Sequence, residues 1–249
     1  MTFLFIAAAG FLSWLLSTIG AGGGEFILIV AASYWLGAQA VAPVVTLSSL
    51  VAVPSRTLLF REHIDWGIVR WFAAGAVPGA LLGAWLFTRT EANWLQLLIA
   101  VFLLSAPLQY GFGRRERSFT MRLGWFLPAG FVVAFLSGLI GGMGPVLNPL
   151  YLNYGSVKEE MIGTKSFNSF VMHVAKLGTY TTLGAMKVEY LGYAAAAGCA
   201  GIVASWLAKR WLQHISEPRF RQIVVWLMVL SGVVILWQQR ALLTSLIFR

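Results

Sequence analysis

Ser17-Thr18-Ile19-Gly20-Ala21-Gly22-Gly23-Gly24 leads one apolar run of this chain, and Ser137-Gly138-Leu139-Ile140-Gly141-Gly142-Met143-Gly144-Pro145 leads another. Shifted by 118 positions, Gly20 falls on Gly138, Gly23 on Gly141 and Gly24 on Gly142, and the same shift carries Thr46 onto Thr164 and Ser48 onto Ser166. A doubled, glycine-broken hydrophobic segment is the pattern of a membrane transporter built from two repeats. Glycine raises the entropic cost of a helix and permits positive φ, so the chain can break at these clusters. Broken backbone at membrane depth is tolerated only where protein buries it or where it lines a watery cavity. The alternative role for the clusters is close glycine packing between helices.

Composition sets the class independently of these motifs. Of 249 residues, 59% are hydrophobic and 11% charged, with a mean hydropathy of +0.77, whereas soluble domains carry about a quarter charged residues. Runs long enough to span a bilayer recur at 3–20, 40–60, 66–88, 93–110, 124–141, 160–182, 188–208 and 222–239. Two shorter runs, 25–36 and 145–154, follow the glycine clusters and read as half-length helices. The expected fold is therefore an all-α polytopic membrane protein. Each of its two repeats has a glycine-broken half-helix hairpin followed by three transmembrane helices. The repeats cover 1–111 and 124–249, joined by a basic linker at 112–123.

Net charge is +9, but the basic residues form juxtamembrane clusters, Arg114-Arg115-Glu116-Arg117 with Arg122 and Lys209-Arg210 with Arg219 and Arg221. Topology and lipid contact explain them, and no soluble basic domain accompanies them to bind nucleic acid. The first 55 residues lack Lys and Arg, so the initial run has no basic n-region of a cleaved leader and is expected to stay as a helix. Cys199 stands alone, which excludes an internal disulfide, and its Ala- and Gly-rich surroundings suggest a close helix contact.

The positive-inside bias discriminates between two arrangements. If each glycine-broken pair is one crossing, the repeats are parallel and ten basic residues lie inside against six outside. If each pair is a re-entrant hairpin, the repeats are inverted and the division is twelve against four. Arg56 is counted as a marker of the cytoplasmic boundary, its other available role being to guide anions toward a pore. The second division favours inverted repeats with both termini outside.

Polar residues at membrane depth are costly and usually functional. The richest stretch is Gly163-Thr164-Lys165-Ser166-Phe167-Asn168-Ser169-Phe170-Val171-Met172-His173-Val174-Ala175-Lys176. On a helix Lys165, Asn168, Ser169, Met172 and Lys176 lie along one stripe. An ammonium flanked by hydroxyl and amide donors suits a small oxyanion. Gly22, Gly23, Gly24, Gly142 and Gly144 are expected to shape that site near the midplane, with half-helix N-terminal ends pointing at it. Thr46, Ser48 and Ser49 supply hydroxyls from the first repeat, Asn148 a further donor, and Lys165, Ser166, Asn168 and Ser169 the second repeat's share. Lys165 snorkelling to an interface is the alternative for that residue. Glu25, Arg56, His173 and Lys176 are coupling or gating candidates. Glu25 reads equally as a proton site or as a cap at a helix start, and His173 as a hydrogen-bonded residue within its helix.

At these residues the chain resembles the TauE/SafE sulfite exporter family of bacterial membrane permeases. The resemblance rests on size, two repeats, the Thr18–Gly24 segment and its Ser137–Pro145 echo, and it extends over essentially the whole chain. It implies a secondary transporter in the bacterial inner membrane. The cargo it implies is sulfite, sulfoacetate or a related organosulfonate or sulfur oxyanion, expected to be exported, with movement in the other direction in some members. Alternating access is expected from one repeat bundle rocking against the other. Membrane lipids and a homodimeric partner are expected, with no metal, cofactor or nucleic acid. Glu25 departs from the apolar or small residue expected there in relatives.

Two other classes remain to be weighed. A passive anion channel also uses half-helices and pore-lining charge. An intramembrane hydrolase using Ser169 and His173 lacks a third orienting group and a Gly-x-Ser-x-Gly elbow, and Asp65 is the only Asp, which excludes a paired-aspartate enzyme. Gly163-Thr164-Lys165-Ser166 lacks the upstream glycine of a phosphate-binding loop. The expectation is a transporter and not an enzyme.

Overall fold

The first apolar run carries no proline and no charge, and it forms one uninterrupted helix, α1 (Thr2–Ile19). The computed structural model describes residues 1–22, 24–89, 100–101, 103–105, 107–108, 119–142 and 144–240. Past the first glycine cluster come α2 (Glu25–Leu36), α3 (Ala38–Leu59) and α4 (Trp66–Phe87). Asp65 starts α4 by accepting hydrogen bonds from the Gly67 and Ile68 amides at 2.8 and 3.1 Å. The second part contributes α5 (Phe126–Ile140), α6 (Asn148–Tyr154), α7 (Lys158–Thr182), α8 (Val188–Leu212) and α9 (Glu217–Gln238). Most of the expected span 93–110, and the linker as far as residue 118, lie outside the described residues.

Among the described residues, six helices are long and apolar enough to cross a membrane: Thr2–Ile19, Gln39–Leu59, Trp66–Phe87, Leu123–Ile140, Val188–Leu212 and Glu217–Gln238. The chain is thus a multi-pass, all-helical membrane protein. The 25-residue α7 is long enough but too polar to belong to that set. Its neighbours compensate, burying Lys165, Ser166, Asn168, His173 and Lys176.

The first glycine cluster turns the chain back on itself. The Phe5 ring near the start of α1 stacks on Trp35 near the end of α2, with centroids 5.3 Å apart. The Ser13 hydroxyl of α1 donates to the Gly24 carbonyl at 2.7 Å. A Cβ on Gly24 would overlap the Ser13 carbonyl oxygen and stand 2.7 Å from the Ser17 amide nitrogen, so the turn is as tight as backbone allows. Ala21 and Gly22 take positive φ, 49° and 110°.

The second cluster differs from the expected half-helix at 145–154. Here α5 stops at Gly141, a short 3-10 turn covers Gly144–Leu147, and the seven-residue α6 follows. Proline explains the interruption. Pro149 has no N–H to give the carbonyl one turn back, and it occupies the first turn of α6, where none is needed.

Tight contacts fix the relative direction of the helices. Cβ atoms placed on Gly75, Gly79 and Gly83 of α4 would strike in succession the carbonyls of Leu127, Phe131 and Phe135, so α4 and α5 run the same way. Gly10 faces Ala197 and Gly201 faces Trp14, so α1 and α8 also run the same way. By contrast α3 and α7 run oppositely, since Arg56 meets Ser166 while Phe60, just past the end of α3, meets the earlier Gly163. Cys199 is exposed, contrary to the close contact expected of it. The neighbouring Gly198 and Gly201 make that contact instead, against Val51 and Trp14.

Candidate functional site

The two chain breaks meet, because Gly22 has no side chain. A Cβ there would lie 3.0 Å from both the Gly144 carbonyl carbon and the Lys165 ammonium nitrogen. From α7, Lys165 reaches into this junction and donates to the Ala21 carbonyl, to the Asn148 side-chain oxygen and, at 2.9 Å, to the Gly144 carbonyl. One ammonium therefore ties both breaks together. Its three partners are neutral oxygens, which solvate the charge and leave it uncancelled.

A second cation enters from α3. The Arg56 Nε donates to the Ser166 hydroxyl at 2.7 Å and a terminal nitrogen donates to the Ser17 hydroxyl at 3.2 Å. The guanidinium also lies over the Trp14 ring, 5.4 Å from its centroid. Arg56 is buried, which corrects the expectation of a boundary marker. It stands late in α3, but α7 covers that end of the helix. Removing it from the basic-residue counts leaves the margin between the two arrangements unchanged.

Glu25 opens α2 and is likewise buried. Its carboxylate points at the second break. Cβ atoms placed on Gly142 and Gly144 would come within 2.8 and 3.3 Å of its oxygens. Glycine at these two positions leaves room for the carboxylate, as Gly22 leaves room for the ammonium. Glu25, Arg56, Lys165, Ser17 and Ser169 line one small cavity with Ala21, Gly22, Gly144 and Ile162, with room for about one water molecule.

The other expected residues are distributed around this centre. Ser166 serves it through Arg56, and Asn148 also points its amide toward the Gly20 carbonyl at 3.5 Å. Gly24 closes the first turn away from the cavity, and Gly23 lies outside the described residues. Ser48 and Ser49 bond back to the Val45 carbonyl, and the buried Thr46 hydroxyl has no partner among the described residues. Asn168 donates to the Tyr151 hydroxyl at 2.7 Å, and its carbonyl oxygen is left unpaired. Lys176 forms a separate centre, donating to the Ser137 hydroxyl and the Gly141 carbonyl, both at 3.1 Å. One turn before it, the Nδ1 of His173 is buried without a partner.

Ser17 and the Ala21 carbonyl were not anticipated as site members, although both stand in the first glycine phrase. Ser17 carried a signal, being one of three hydroxyl residues, with Ser13 and Thr18, late in an apolar helix. The carbonyl carried none, since its exposure follows from the positive φ of Ala21.

Two buried cations and hydroxyl donors face a cavity between the chain breaks and supply the donor chemistry that a small oxyanion takes, with a carboxylate beside them. A family model described as Sulfite exporter TauE/SafE matches residues 4–235. No curated protein and no solved structure matches the chain.

Proposed function

This chain belongs to the TauE/SafE sulfite exporter family, and from that premise we propose that it is a secondary transporter exporting a small sulfur-containing anion such as sulfite, sulfoacetate or a related organosulfonate. The observation that carries the reading is the placement of Lys165 and Arg56. Both are buried, both line one cavity, and each spends its hydrogen bonds on neutral oxygens. The ion pairs among the described residues are Lys158–Glu159 and Lys187–Glu189, away from this cavity.

The proposed topology is two inverted repeats, 1–111 and 124–249, in a bacterial inner membrane. The hairpin of α1 and α2 and the opposed directions of α3 and α7 support it, since parallel repeats would run that last pair the same way. An odd number of full spans after each hairpin reverses the second repeat. Export of an anion from a negative interior gains about 2.3 kcal/mol per charge per 100 mV.

Thermal unfolding of the purified protein against sulfite, sulfate, thiosulfate, sulfoacetate and taurine tests the reading. A ligand that binds only the folded state raises the melting temperature. One or more of the anions is expected to stabilise the wild type, and Lys165→Ala to lose that stabilisation. A folded Lys165→Ala protein that responds like wild type would remove this lysine from the site.

A further inference from the structure

Glu25 is the one buried acid among the described residues. It lines the same cavity as Arg56 and Lys165, yet its oxygens form no ion pair with either cation. An uncompensated charge at this depth is expensive, and two cations exceed one carboxylate. Both cations are close enough to Glu25 for their charges to interact, as is Lys176 further along α7. Arg56 faces the cavity from α3 and Lys165 from α7, while α1 contributes only the uncharged Ser17. From the second break, Gly142 and Gly144 contribute backbone. The carboxylate also sits in the first turn of α2, where the helix dipole favours a negative group. The attraction a free anion would feel at that end is therefore already directed at a tethered one.

We propose that Glu25 is a built-in competitor for the transported anion, holding the positive centre when it is empty and yielding it by taking up a proton when an oxyanion enters. The inference rests on the anion-site reading above and adds a coupling to it. The proton comes from the aqueous medium and converts the carboxylate to the neutral acid. The incoming anion then faces Arg56 and Lys165 without a like charge beside it. When the anion leaves, the proton leaves and the carboxylate again balances the cations. Anion binding and proton uptake are thereby linked at this one site.

Isothermal titration of sulfoacetate into detergent-purified wild type and Glu25→Gln separates the possibilities, run at about pH 5.5 and about pH 8 in buffers of different ionisation enthalpy. Glutamine keeps the shape and removes the charge, and Glu25→Ala is the second variant should the amide disturb the turn. The wild type is expected to bind more tightly at the lower pH and to take up close to one proton per anion. Glu25→Gln should bind about tenfold or more tightly than wild type at the higher pH, because a like charge is gone, with no proton uptake. Binding by wild type, Glu25→Gln and Glu25→Ala with the same affinity and the same proton uptake would overturn the role of Glu25 and leave the anion site standing. Absence of sulfoacetate binding by all three proteins would instead overturn the anion site for this ligand, and the inference with it.

Discussion

Ser166 accepts from Arg56 and donates to the Ile162 carbonyl at 2.6 Å, so a single hydroxyl holds the guanidinium against α7. Ser166→Ala should cost about 1.5–3 kcal/mol, the range for a lost hydrogen bond to a charged group. A lowered melting temperature together with weaker stabilisation by the preferred anion would be the observed result. Lys176→Met is expected to behave differently, because Lys176 bonds Ser137 and Gly141 away from the cavity. Its melting temperature should fall while the increment produced by the anion persists. Equal loss of that increment in both variants would place Lys176 in the same site. The polar residues of α7 were legible because charge inside an apolar run is conspicuous. Arg56 was misplaced because Pro54-Ser55-Arg56 near a helix end has the local appearance of a boundary. Only the tertiary crossing with α7 buries it.

At the scale of elements, the glycines divide by what surrounds them. Gly83 of α4 lies against the Phe135 carbonyl of α5, so Gly83→Ala must push the two helices apart. Gly178 lies within α7 with nothing inside 4 Å of a Cβ. Thermal unfolding should show Gly83→Ala destabilised by about 1–3 kcal/mol through overpacking. Gly178→Ala should be unchanged or stabilised by up to about 1 kcal/mol through helix propensity. Element boundaries followed closely from the apolar runs, since α1, α2, α3 and α4 begin and end within about two residues of the expected positions. The split of the second half-helix did not, although Pro145 and Pro149 were both in view. Where a 3-10 turn hands over to an α-helix depends on which carbonyls the surrounding chain leaves available. Whether glycine marks a kink in one crossing or a hairpin was likewise undecided locally, and the Phe5–Trp35 contact distinguishes them.

For the whole molecule, the proposed inverted topology has a direct consequence for accessibility. A reporter fused after Arg240 should read non-cytoplasmic, and one inserted between Gln213 and Glu217 should read cytoplasmic. The opposite pair of results would reject the arrangement. The helix contacts also bear on how such a protein moves. Close backbone approaches join α1 to α8 and α4 to α5, each pair drawing one helix from before residue 112 and one from after residue 123. At their glycines these seams leave no room for a further methyl group, so they behave as welds. A cut in the central linker would consequently not yield two self-sufficient machines: each fragment would hold one side of both welds, and co-expressed fragments would have to interlock before either had anything to move against.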